Sequence, residues 1–242
     1  MSFRFKQFFI EDSKCAMKVG TDGVLLGAWS PVSGYRLQVT GYRILDVGTG
    51  SGLIARMLMQ RCPEAEVEGI DIDEAAVEQA RENGVKAFVS SLQEWQGDKG
   101  EGLQVTGYRY DLIVSNPPYF QNSLKNPDEG RKTARHTDTL SYAELVQHSA
   151  RLLKDGGQLA VILPAEAETE IRQIAAGYSL YCTHVTRVYS KENKKPKRVL
   201  LCFAKLKIED WRLKILEDSL VLEDEKGGRS LPYQELCKEF YL

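Results

Sequence analysis

From about residue 43 to residue 188 the chain alternates short continuous apolar runs with longer stretches in which apolar positions return every three or four residues. Runs without a polar face suit strands buried on both sides, and the three-to-four spacing suits helices that cover them. The alternation therefore predicts an α/β fold with a parallel sheet between helices. Strands are expected over Arg43–Val47, Val67–Asp71, Val85–Ser90, Asp111–Ser115, Gln158–Leu163, Cys182–Val188 and Val199–Lys205. Helices are expected over Leu53–Arg61, Glu74–Asn83, Tyr142–Leu153 and Ala167–Ala176. Ser141, with Glu144 three residues on, has the pattern of a capping box at the start of the third helix. Lys154-Asp155-Gly156-Gly157 places glycines where that helix is expected to end.

A length of 242 residues suits one sizeable domain with appendages. We expect a cap segment over 1–33, a core over 43–206 and a C-terminal extension over 207–242. The net charge of −2 makes the molecule no polycation, so contact with a nucleic acid would need a local basic patch. Five cysteines, Cys15, Cys62, Cys182, Cys202 and Cys237, stand far apart and in odd number. That spacing predicts free thiols rather than a disulfide frame or a zinc site. Met1-Ser2-Phe3-Arg4-Phe5-Lys6 alternates aromatic with basic residues and lacks the apolar core of a secretion signal. No run reaches the ~18 apolar residues of a membrane span, so a cytoplasmic protein is expected.

The heptapeptide Leu37 to Arg43 recurs letter for letter as Leu103 to Arg109. Its period matches no structural array, and both copies precede an expected strand, where a connection absorbs extra residues at small entropic cost. It reads as a short insertion in two surface loops, with a binding role for Tyr42 or Tyr108 as the alternative.

Asp46-Val47-Gly48-Thr49-Gly50-Ser51-Gly52 joins a strand to a helix, and its glycines let the backbone turn sharply and approach a nucleotide closely. Gly69-Ile70-Asp71-Ile72-Asp73 ends the next strand, where the Asp71 carboxylate can accept both hydroxyls of a ribose; Asp73 reads as a helix N-cap. The spacing Gly48-x-Gly50-x-Gly52 departs from the Gly-x-Gly-x-x-Gly of nicotinamide dinucleotide sites. Asn116-Pro117-Pro118-Tyr119 begins at the carboxyl end of a strand, the edge where open α/β sheets bind ligands. Two prolines stiffen this turn, so the Asn116 side-chain oxygen and the Pro117 carbonyl are held as two acceptors. Acceptors on the hydrogens of a conjugated amine favour the positive charge that builds as its nitrogen attacks a methyl group. Tyr119, or Phe120 beside it, can stack on a base swung out of its neighbours.

The glycine-rich turn resembles that of class I S-adenosylmethionine-dependent methyltransferases, and Asn-Pro-Pro-Tyr resembles the signature of members that methylate a conjugated amine. Phe3-Arg4-Phe5-Lys6-Gln7-Phe8, the stretch Met17 to Trp29 and the ending Glu239-Phe240-Tyr241-Leu242 resemble bacterial tRNA1(Val) adenine-N6 methyltransferases. The resemblance implies a mostly parallel, seven-stranded twisted sheet with helices on both faces, and S-adenosylmethionine as the cofactor. It places Lys18 and the Thr21-Asp22-Gly23 turn over the cofactor's methionine end. Together these readings assign the chemistry to Asn116, Pro117 and Tyr119, without a metal. They assign cofactor binding to Lys18, Thr21, Asp46, Gly48, Gly50, Gly52, Asp71, Ser91, Leu92 and Asn116. One feature departs from the class: the third strand ends in Val89-Ser90-Ser91-Leu92, without the acidic residue common there.

The implied substrate is the exocyclic amine of an adenine in tRNA, adenine 37 of a valine tRNA by the family likeness. Basic segments over 131–136 and 191–198 flank the expected active edge and suit phosphate contacts in the anticodon region. His136 and His148 receive no role, because transfer from a sulfonium needs no strong base. A monomer or weak dimer is expected, with no DNA and no membrane partner. The alternatives are a release-factor glutamine N5-methyltransferase, which uses the same four-residue signature behind a helical domain for which this chain has little room, and a non-catalytic module that binds the cofactor and RNA.

Overall fold

The structure is a computed structural model that describes residues 2–32, 41–97, 109–118, 140–206 and 214–241. Seven of its strands follow the apolar runs: β3 (Arg43–Val47), β4 (Glu66–Asp71), β5 (Lys86–Val89), β6 (Tyr110–Ser115), β7 (Leu153–Pro164), β8 (Leu180–Tyr189) and β9 (Arg198–Lys205). An eighth, β10 (Leu216–Val221), comes from the C-terminal extension and lies parallel to β8. The order is β10-β8-β9-β7-β6-β3-β4-β5, with β9 antiparallel to both its neighbours and every other pair parallel. A separate ribbon pairs β1 (Ser2–Arg4) with β2 (Phe9–Glu11). The expected seven strands are thus joined by an eighth whose only fully buried apolar side chain is Leu220, a signal too thin for a sequence pattern to carry.

Alternation within the apolar runs divides the core. Ile44, Leu112, Val114, Ala160, Ile162 and Leu200 face one layer, formed by α1 (Thr21–Trp29), α2 (Leu53–Arg61), α3 (Glu74–Glu82) and α6 (Leu231–Leu236). Leu45, Val47, Ile113, Leu159, Val161 and Leu163 face the other, formed by α4 (Tyr142–Leu152) and α5 (Glu168–Ala176). These side chains are almost wholly buried, and apolar burial of this kind supplies the main favourable term in folding. Buried Phe5 and Phe8 of the N-terminal segment and Phe240 near the C-terminus join the first layer.

The capping box at α4 is present: the Glu144 carboxylate accepts from the Ser141 backbone at 2.9 Å, and the Glu144 N–H donates to the Ser141 hydroxyl at 3.2 Å. The glycines after α4 do not cap it. Leu153 is already extended, and Gly156, at φ +75°, lies within β7 beside the register shift between Tyr110 and Leu112. A Cβ at Gly157 would stand 2.9 Å from the Tyr110 carbonyl, so close approach of two strands, not helix termination, requires glycine there. Of the repeated heptapeptide, Leu37 to Thr40 and Leu103 to Tyr108 lie outside the described residues. Tyr42 is buried in the first layer, which gives its ring a packing role.

Candidate active site

The chain leaves β3 and runs to β4 and β5 on one side, then returns to β6 and β7 on the other. Ligands bind at such a switch point, beyond the carboxyl ends of the strands. A cavity of about 990 Å³ opens there, lined from four strand ends and the Cys15–Gly23 segment.

Beyond β3, Gly48, Gly50 and Gly52 all have left-handed φ angles, +70°, +54° and +80°. A Cβ at Gly48 or Gly50 would meet no atom of the described residues within 4 Å beyond its chain neighbours, so these positions present bare backbone to the cavity. Gly52 differs: its missing Cβ would stand 2.7 Å from Val85, so it lets α2 pack and does not line the cavity. The turn is fixed from β4, whose Ile70 carbonyl accepts from the Gly48 and Thr49 N–H groups at 2.9 and 3.0 Å. Gly69 permits this, because a Cβ there would stand 2.7 Å from the Thr49 hydroxyl.

Asp71, half-buried at the end of β4, accepts from the Gly50 N–H at 2.9 Å through Oδ2 and from the Asp73 N–H at 3.0 Å through Oδ1. A carboxylate oxygen accepts two hydrogen bonds, so this geometry leaves capacity for ribose hydroxyls. Asp73 caps α3, accepting from the Ala75 N–H at 2.9 Å. Asp46 lies beneath the turn, wholly buried and away from the cavity wall. Its Oδ2 accepts from the Thr49 hydroxyl at 2.7 Å and the Ala55 N–H at 3.2 Å, while Oδ1 is buried without a partner among the described residues. Burial pushes its carboxyl up to about 7, against the pull of those two hydrogen bonds. Asp46 therefore holds the turn from below.

The third wall is Ser90, Ser91, Leu92 and Gln93 after β5. Ser91 turns its hydroxyl to Glu94, accepting from the Glu94 N–H at 3.3 Å, so it shapes a turn. Arg151 of α4 clamps that turn, donating to the carbonyls of Leu92, Gln93 and Trp95 at 3.2, 3.4 and 2.9 Å. Trp95 donates to the Tyr110 hydroxyl at 2.9 Å, which donates to buried Glu68 at 2.8 Å. No motif announced this support, because its members come from four separate elements.

The fourth wall is Ser115, Asn116, Pro117 and Pro118 after β6. The Ser115 hydroxyl donates to the Val47 carbonyl at 2.9 Å, locking the two strand ends together. Asn116 is half-buried, its Nδ2 3.9 Å from the Met17 sulfur. Tyr119, and the basic segment over 131–136, lie outside the described residues.

The Cys15–Gly23 segment closes the rim. Lys18 lines the cavity, but its ammonium is taken by the carbonyls of Asp12, Ser13 and Cys15 at 2.7, 3.3 and 2.8 Å. It thus ties its own loop. Thr21, Asp22 and Gly23 open α1 toward the cavity, where the helix N-terminus favours a carboxylate. Asp22 accepts from Arg198 of β9 at 2.8 Å, a link that spacing in the sequence does not reveal. Cys15 is buried and its thiol pushed up to about 11 by burial, so it offers no thiolate. All five cysteines are free and buried.

Lys194, Lys195 and Lys197 stand exposed on the β8–β9 connection, at the same edge of the sheet as the cavity. Lys191 in that connection pairs with Glu223 at 3.4 Å. No helix among the described residues is long and apolar enough to cross a membrane.

The family model for the methyltransferase small domain matches residues 35–176. A Bacteroides fragilis protein named tRNA1(Val) (adenine(37)-N6)-methyltransferase is 43% identical over 242 residues, covering 99% of this chain and 97% of that protein. Proteins of the same name from Parabacteroides distasonis and Actinobacillus succinogenes are 44% and 40% identical, each over 99% of this chain and 97% of theirs. Among solved structures, a predicted O-methyltransferase from Agrobacterium tumefaciens superposes with a TM-score of 0.66 at 18% identity, covering 90% of this chain and 96% of that one. At that identity the likeness is one of fold.

Proposed function

The chain belongs to the tRNA1(Val) (adenine(37)-N6)-methyltransferase family, and we propose that it transfers a methyl group from S-adenosylmethionine to the N6 amine of an adenine in tRNA, adenine 37 of a valine tRNA by the names of its relatives. The observation that carries this reading is the meeting of Asn116-Pro117-Pro118 with the Gly48–Gly50 turn and Asp71 around one cavity.

The cavity fits the cofactor. Bare backbone at Gly48 and Gly50 accepts close approach, Asp71 suits a ribose, and Leu92 supplies a buried apolar wall beside Ser91 for a base. The start of α1 at Thr21 suits the carboxylate of the amino-acid end. When bound, the cofactor's sulfonium supplies an electrophilic methyl group.

The protein's own residues act on the acceptor. An adenine amine is a weak nucleophile because its lone pair is delocalised into the ring. Asn116 Oδ1 and the Pro117 carbonyl accept its two hydrogens, which favours a tetrahedral nitrogen with its lone pair directed at the methyl. As positive charge develops on that nitrogen, both hydrogen bonds strengthen, so they stabilise the transition state more than the ground state. Tyr119, next in sequence after the prolines, is the base-stacking residue of this reading. Holding amine and methyl in line supplies much of the remaining acceleration. The proton leaves after transfer and needs no strong base.

Lys194, Lys195 and Lys197 supply phosphate contacts at the edge of the sheet that carries the cavity, and the basic composition of 131–136 suits the same role. Mass spectrometry of nucleosides from bulk tRNA, comparing a strain lacking this protein with its parent, tests the reading. Loss of N6-methyladenosine from valine tRNA is the expected result. An unchanged tRNA profile with a lost methyl group on a release-factor glutamine would support the rival amine.

A further inference from the structure

The segment Asp12–Val19 is more firmly built than a surface loop of its composition requires. Asp12 is buried, and its Oδ2 accepts from the Val19 N–H at 3.0 Å, closing the segment on itself. A turn from the Cys15 N–H to the Asp12 carbonyl, at 3.2 Å, tightens it further. The Lys18 ammonium gathers the three carbonyls already described. Gln79 of α3 accepts from the Ser13 hydroxyl and the Lys14 N–H at 3.2 and 3.3 Å, and Lys14 pairs with Glu78 and Glu82.

The largest apolar side chain that this frame presents to the cavity is Met17. Met17 is 52% exposed although it lines the cavity, and its sulfur stands 3.9 Å from Asn116 Nδ2. A planar base whose amine is held by Asn116 begins its ring at the carbon bonded to that amine nitrogen. With the sulfur already touching the Asn116 amide, such a ring meets the Met17 side chain or displaces it. A thioether on an unbranched stem is polarisable, adapts to a flat surface and interacts favourably with aromatic rings at ~5 Å. Exposed methionine at a cavity rim loses water from its apolar surface when a base covers it.

Resting on the function proposed above, we infer that Met17 is a base-binding residue: it forms one face of the acceptor pocket and packs against the adenine ring while Asn116 holds the amine. The Lys18 and Asp12 contacts make the segment a preformed wall, so little ordering entropy is lost when the base arrives.

Steady-state methylation of unmodified valine tRNA at saturating S-adenosylmethionine tests this with the parent, Met17→Ala and Met17→Leu. Removing a face that stacks on a base should raise the KM for tRNA about tenfold in Met17→Ala, with kcat within about twofold. Met17→Leu keeps the volume and should recover most of the loss. Affinity for S-adenosylmethionine, by calorimetry, should stay at the parent value in both. An unchanged KM in Met17→Ala overturns the inference. So does a fall in kcat alone, which would place Met17 in the service of Asn116, or an equal weakening of cofactor affinity, which would place it on the cofactor. Each of those results leaves parent activity intact, whereas a parent enzyme that transfers no methyl to tRNA removes the function and the inference together.

Discussion

The two halves of the cavity are built differently. On the side proposed for the cofactor, the Gly48–Gly52 turn is bonded to β4 through Ile70 and Asp71 and held from below by Asp46. The Ser91–Trp95 turn is clamped by Arg151. On the side proposed for the acceptor, two prolines and the Ser115 hydroxyl fix the backbone, and the Asn116 amide stands 3.9 Å from the Met17 sulfur. The half lined by the glycine turn is held by hydrogen bonds within the protein. The half lined by Asn116 places the exposed Met17 side chain beside the Asn116 amide. Substitutions in the two halves should therefore separate binding of the methyl donor from chemistry on the acceptor.

The largest effect is expected on the acceptor side. Asn116→Ala should lower kcat by ~10²-fold or more, the usual cost of one well-placed transition-state contact, while cofactor affinity stays at the parent value. Single-turnover methylation paired with calorimetry checks both halves of that statement. A cofactor affinity that falls in step with the rate would erase the division.

Asp71→Ala is the counterpart on the other side. It removes the ribose acceptor and frees the Gly50 N–H, and should weaken S-adenosylmethionine by roughly 2–3 kcal/mol. Unchanged binding in a calorimetric titration would remove Asp71 from the ribose site.

Changing Lys194, Lys195 and Lys197 to Gln should raise the KM for tRNA several-fold at physiological salt. The slope of log affinity against log salt should flatten by about 2, because three phosphates no longer meet an ammonium and keep their counterions. Arg198 is left in place because it pairs with Asp22 at the start of α1. A slope equal to the parent's would mean that these lysines are solvated surface.

The smallest effect concerns Asp46. Its carboxyl is raised from an ordinary value of roughly 4 to about 7 by burial, so the folded state binds a proton that the unfolded state has released. The stability gained this way is fully present below pH ~4 and is lost as pH rises through about 7. Asp46→Asn keeps an oxygen for Thr49 and Ala55 without the charge. The stability of the parent relative to that variant should decline between pH 5 and pH 8, measured by urea unfolding. A relative stability that rises over that range would contradict the account.

Much of this contrast was legible in the sequence, for physical reasons. Strands β6 and β9 are mostly apolar because both faces of the sheet are covered, and the ends of β3, β4, β6 and β9 fall within a residue or so of the expected ones. The glycine turn, Asp71 and Asn116-Pro117-Pro118 were readable because each is local: backbone geometry and chemistry sit within a few consecutive residues. The β10 strand was not, since its sequence Leu216–Val221 is mostly exposed and pairs along the edge of the sheet. Asp46 and Gly52, expected among the cofactor-binding residues, are buried and do not line the cavity, because a glycine or carboxylate in a turn has the same signature whether it faces a ligand or the core. Arg151, Trp95 and the Asp22–Arg198 pair were invisible for a related reason. Their partners lie 56, 15 and 176 positions away, and no short pattern carries such a pairing.

Methyl transfer to the exocyclic amine of an adenine in tRNA is open to direct measurement. The most direct test incubates the purified protein with an unmodified valine tRNA transcript and S-adenosylmethionine, then maps the product by fragment mass spectrometry. The account predicts one methyl group per molecule, on N6 of adenine 37. No transfer, or a methyl group on a ring nitrogen or a ribose oxygen, would contradict it.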